Sequence, residues 1–105
     1  MITRNWQYEA PVRDSSGIRV VQMYNKVEGQ IMHISIAAGS ELKSHVTPVN
    51  VAMFVLEGEP IIEIGDERKA CPAGTILESP KDIPHAIFNP SEENVRLLVM
   101  KLPKP

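Results

Sequence analysis

Apolar residues along this chain come in short runs, and turn-forming residues cut them apart. No long stretch holds the 3.6-residue period of an amphipathic helix, whereas runs rich in Val and Ile recur between Pro, Gly, Asn and Asp clusters. The pattern predicts strands over Ile18–Tyr24, Gln30–Ala37, Val51–Leu56, Ile61–Ile64, Thr75–Glu78, His85–Phe88 and Val95–Lys101. Shorter extended pieces are expected at Trp6–Glu9, Leu42–Val46 and Arg68–Ala70. Closely spaced short strands without helices predict an all-β fold, a single antiparallel β-barrel or sandwich. Glu57-Gly58-Glu59-Pro60 and Gly65-Asp66-Glu67 supply two turns, since glycine adopts positive φ freely and Pro60 bars a helix. Val51–Leu56 is apolar on both faces: Val51, Met53 and Val55 point one way, Ala52, Phe54 and Leu56 the other. One set belongs to the barrel interior; the other calls for a second layer or a second subunit. Residues 1–17 read as an N-terminal arm leading into a barrel formed by residues 18–105.

Length and composition narrow this further. A chain of 105 residues has room for one domain and one core. Its charge is nearly balanced, at a formal −2 with acids and bases interspersed, so no basic stripe exists to follow a phosphate backbone. Nucleic acid is therefore not an expected partner. No apolar run approaches the ~18 residues that span a bilayer, and Met1–Trp6 lacks the apolar run of a signal peptide. The expectation is a cytoplasmic protein that does not engage a membrane. The single cysteine, Cys71, has no internal disulfide partner and reads as a small half-buried residue beside a turn.

Two spacings carry the chemistry. Gly39, His45, Thr47, Val51 and Gly58 fall where a G-x5-H-x-H-x3-E-x6-G pattern places its fixed positions; Gly74, Pro80, Asp82, His85 and Asn89 follow G-x5-P-x-G-x2-H-x3-N. These patterns resemble the two motifs of the cupin superfamily, and the resemblance covers about half the chain. It implies a small single-domain cupin with a jelly-roll β-barrel. It also implies a lumen site where two histidines and a glutamate from the first motif, and one histidine from the second, hold a divalent metal. Here only His45 and His85 stand at ligand positions; Thr47 and Val51 occupy the other two. A neutral hydroxyl is a poor donor and Val offers none, while catalytic centres generally use three or more protein ligands. The expected cofactor state is thus at most a weakly held divalent transition metal.

His45 and His85 have two readings, as a shared polar site for a ligand or loose metal, or as imidazoles satisfied by backbone and water. In Gln30–Ala37 the more apolar set, Met32, Ile34 and Ile36, reads as the lumen face, which sends His33 outward. Only a register change would make His33 a third ligand. Asn89 and Asp82 read as turn organisers. Ser35, Ser40, Ser44 and Ser79 show no base at a defensible spacing. The leading expectation is a homodimeric barrel binding a small organic ligand, with His45, His85 and Thr47 as polar contacts and Val51, Met53 and Val55 as apolar wall. Two alternatives stay open: a metal-dependent oxygenase or isomerase with a reduced ligand set, and a scaffold or interaction protein.

Overall fold

The computed structural model describes residues 1–105. It holds ten strands: β1 (Arg13–Ser15), β2 (Ile18–Lys26), β3 (Gly29–Ile36), β4 (Glu41–His45), β5 (Asn50–Glu57), β6 (Ile61–Ile64), β7 (Glu67–Ala70), β8 (Ile76–Ser79), β9 (His85–Phe88) and β10 (Val95–Leu102). Every longer expected strand forms, with ends shifted by a few residues. Trp6–Glu9 does not: the amides of Tyr8 and Glu9 both donate to the Asn5 carbonyl, at 3.0 and 3.1 Å, and Asn5 Oδ1 accepts from the Gln7 amide at 2.9 Å. An asparagine that turns the chain through its own side chain overrides the extended pattern. The arm also contains a strand that periodicity missed. Ser16 and Gly17 both take positive φ, 54° and 77°, a combination that closes a tight hairpin and pairs β1 with β2.

All pairings are antiparallel, and they form two sheets, β1-β2-β3-β10-β5-β8 and β4-β9-β6-β7. The sheets face each other across one core. Ile18, Ile34 and Ile36 enter it from β2 and β3, Val95, Leu97 and Val99 from β10, and Val51, Met53 and Val55 from β5. Ile62 and Ile87 close it from the smaller sheet, and Cys71 is buried in the same cluster. Gly58 shows how tightly the corner after β5 is drawn. Its φ is +82°, and a Cβ there would stand 2.6 Å from Val95 Cγ1, so no other residue fits without displacement.

Asn89 ties the end of β9 to the larger sheet. Its Nδ2 donates to the Ile36 carbonyl at 3.0 Å and to the Glu93 carbonyl at 2.7 Å, while its Oδ1 accepts from the Ser91 amide and hydroxyl. Asp82 holds the turn between β8 and β9 at φ 64°, and its amide donates to the Thr47 carbonyl at 2.9 Å. That bond pins the loop after β4 to the loop before β9. The two motif histidines are delivered by these strands.

Candidate functional site

His45 ends β4 and His85 begins β9, and the two are register partners in the smaller sheet. Their Nε2 atoms are 3.0 Å apart, with the rings nearly perpendicular at a centroid distance of 4.3 Å. His85 is buried, whereas His45 is exposed. Thr47 Oγ1 lies 3.5 Å from His85 Nε2, and Ser79 Oγ lies 2.8 Å from His85 Nδ1.

Acceptor chemistry fixes the direction of these contacts. His45 Nδ1 is 3.0 Å from the Lys43 carbonyl, which can only accept, so Nδ1 carries the proton. With both rings neutral, His45 Nε2 is then bare, and His85 Nε2–H donates to it. His85 Nδ1 is left as an acceptor, filled by the Ser79 hydroxyl. The result is one chain, Ser79 O–H to His85, His85 to His45, His45 to the backbone. Desolvation, then the neighbouring His45 and the Lys101 ammonium, push the His85 pKa down to about 4. The buried ring stays neutral under ordinary conditions.

The surroundings come from the larger sheet. Gln30, Lys101, Val51 and Ser79 are successive register partners across β3, β10, β5 and β8. Because Ser79 touches His85, this rung faces the histidine pair. Val95, Leu97 and Val99 alternate into the core, and the same period carries Lys101 inward beside Val51. Lys101 is half-buried and forms no ion pair; the chain's two salt bridges join Arg68 to Glu63 and Arg96 to Glu57. Val51 lies under the mouth, while Met53 and Val55 sit deeper, fully packed. A cavity of about 540 Å³ adjoins His45, with Glu41, Leu42, Lys43 and Ser44 on one wall and Arg13 and Ser16 on the other. At the opposite seam, between β7 and β8, about 490 Å³ opens over Ile62, Ile64, Cys71 and Leu77.

The sequence reading sets Ser79 aside as a serine without a base, which its contact with His85 corrects, and it passes over Lys101. Ser79 is six residues from its base in sequence, and only the fold of the β8–β9 turn brings the pair together. For Lys101 a signal existed, since period-2 alternation through Val95, Leu97 and Val99 already assigns it to the core face.

His33 faces away from the lumen, yet it is buried. Trp6 of the arm stacks on it with centroids 4.4 Å apart and planes 12° from parallel. Arg96 Nη1 donates to His33 Nε2 at 2.9 Å, its guanidinium lies 4.6 Å from the Trp6 ring centre, and its Nε donates to Glu57 Oε2 at 2.7 Å. Arg19 completes the clamp by donating to the Trp6 and Glu9 carbonyls. Desolvation, then Arg96 and Arg19, lower the His33 pKa to about 4. His33 thus anchors the arm and does not join His45 and His85.

The metal that the motifs imply can be tested against these donors. His45 and His85 offer two imidazoles, Thr47 a hydroxyl and Val51 nothing. No group of three or more His, Cys, Asp or Glu side chains converges anywhere in the chain. The donor set falls short of a metal centre.

The family model described as the cupin domain matches residues 32–101, a span that contains both histidines and every strand from most of β3 to most of β10. The chain belongs to the cupin family. No curated protein matches it. Among solved structures it is similar to an RmlC-like cupin from Shewanella frigidimarina, at 18% identity and TM-score 0.87 over 97% of this chain and 90% of that one. KdgF from Halomonas sp. superposes with TM-score 0.86 at 13% identity, over 100% of this chain and 94% of the other. A protein from Thermotoga maritima, described as a predicted oxalate decarboxylase, gives TM-score 0.83 at 17% identity over 97% and 99%. At such identities the likeness establishes the fold, an all-β cupin barrel, and nothing finer.

Proposed function

We propose that this chain is a small-molecule-binding cupin barrel whose polar contacts are His45 and His85, with Thr47 beside them and Val51 as the apolar floor. Met53 and Val55 support that floor from below. The observation behind this reading is the directed hydrogen-bond chain at the barrel mouth. His85 is fixed in one tautomer by Ser79, and it holds His45, the exposed member, in one orientation. Preorganised polar groups above an apolar floor suit a ligand-binding site, and the exposed member of the pair, His45, lines an open cavity. The reading needs no metal, in keeping with the short donor set.

The test combines native mass spectrometry of protein purified without denaturation with a thermal-shift screen of small polar molecules. A ligand that stabilises the wild type and loses its effect in His45→Ala supports the assignment. A ligand whose effect survives both His45→Ala and Thr47→Val would place binding elsewhere.

A further inference from the structure

The charge balance around the histidine pair says what class of ligand belongs there. Lys101 is directed inward by the alternation of β10 and is half-buried, with no carboxylate paired to it. It stands two strands from Ser79 across the same rung, ~10 Å at ordinary strand spacing, within reach of a lysine stem and the imidazole behind Ser79. Its charge is felt at His85. The neighbours on this rung are Gln30, whose Nε2 donates to Gln22 Oε1 at 3.3 Å and keeps a second N–H free, and Val51. Thr47 adds a hydroxyl. The mouth therefore presents an ammonium that no carboxylate pairs, together with the neutral donors of Thr47 and Gln30; Glu41, which lines the cavity beside His45, forms no ion pair either. A half-buried unpaired cation is costly unless an anion joins it.

We propose that the barrel mouth binds a small organic carboxylate beside the histidine pair, with Lys101 as its counter-ion and the Thr47 hydroxyl and the free Gln30 N–H as its hydrogen-bond donors. The proposal rests on the ligand-binding reading above and adds the charge of the ligand. The carboxylate bridges the two sheets, from Lys101 on β10 to the His45–His85 side. Lys101 is then the residue that separates acids from their neutral analogues.

The experiment uses wild-type protein stripped of metal on a chelating resin, titrated with acetate, succinate and benzoate and with the matching amides at constant ionic strength. Binding is read from the imidazole carbon-bound proton shifts of His45 and His85. The acids should move both rings, and the amides should bind at least about tenfold more weakly. Lys101→Met should weaken the acids by about tenfold or more, whereas Lys101→Arg, which keeps the charge, should retain most of the affinity. Thermal unfolding of both variants controls for folding. Equal binding of acids and amides, indifferent to Lys101→Met, overturns the carboxylate assignment while leaving a ligand site at the histidines. Acids that bind only after manganese or nickel is restored also overturn it, since a metal would then supply the charge. If no compound moves either ring, this inference and the ligand-binding reading fall together.

Discussion

With Ser79 Oγ held 2.8 Å from His85 Nδ1, removing the hydroxyl leaves a buried ring nitrogen without its donor. Ser79→Ala should cost about 1–3 kcal/mol of stability. It should also release His85 to the alternative tautomer, visible in the imidazole nitrogen shifts; unchanged shifts would mean that Ser79 does not set the ring. A second consequence concerns pH. His85 and His33 both have folded pKa values of about 4, below the ~6.5 of an unfolded histidine. Between those values the unfolded chain binds more protons, so stability is full above pH ~6.5 and falls as the pH drops toward 4. Chemical denaturation at stepped pH should show this decline. His33→Phe, which keeps a ring against Trp6, should flatten part of it, and an unaltered profile would remove His33 from the account. The sequence made His45 and His85 legible because motif spacing marks them. Ser79 and Trp6 stayed hidden, as their partners are remote in sequence and meet only through tertiary structure.

Alternation carried most of the information about the strands. Val51, Met53 and Val55 point into the core as their period requires, and Met32, Ile34 and Ile36 turn His33 outward. The period fails where side chains or hairpin geometry redirect the backbone, as at Asn5 and at the Ser16-Gly17 hairpin. The motif departures become readable in the same terms. Asp82 stands where the motif has glycine and takes φ 64°, a left-handed conformation that Asp tolerates better than most residues. Asp82→Ala should therefore destabilise the protein by about 1 kcal/mol, while Asp82→Gly should cost less or stabilise. Urea unfolding of the two variants checks the order; a reversal would mean that the Asp82 side chain matters more than its backbone. Asn89 keeps its motif identity for a reason unrelated to binding, because it satisfies carbonyls on β3 and in the β9–β10 loop together.

At the scale of the molecule, the outer face of the larger sheet remains to be covered. Leu98, Phe54 and Ile76 are register partners on that face, and Met100 and Ala52 form the adjacent rung, which ends at the exposed Glu78. Ile76 is 62% exposed, and Phe54, Leu98, Met100 and Ala52 are only partly buried. Contiguous apolar surface of this kind is seldom left wet. The expected state is a homodimer joined through this face, and sedimentation velocity should report twice the chain mass. Phe54→Glu should return it to monomer without unfolding it; a wild-type monomer at all working concentrations would count against the interface. The Trp6 clamp leaves this option open, since its contacts are with His33, Arg96 and Arg19. The four boundary strands then acquire a meaning of their own. β1, β8, β7 and β4 are three, four, four and five residues long, and β7 and β4 carry Glu67, Arg68, Lys69, Glu41 and Lys43. Such stubs give an incoming strand few amides to zip onto and charges to repel it. In the expected dimer, self-association would proceed face to face and stop at two chains, while these edges oppose the open-ended strand addition that turns β-rich proteins into fibrils.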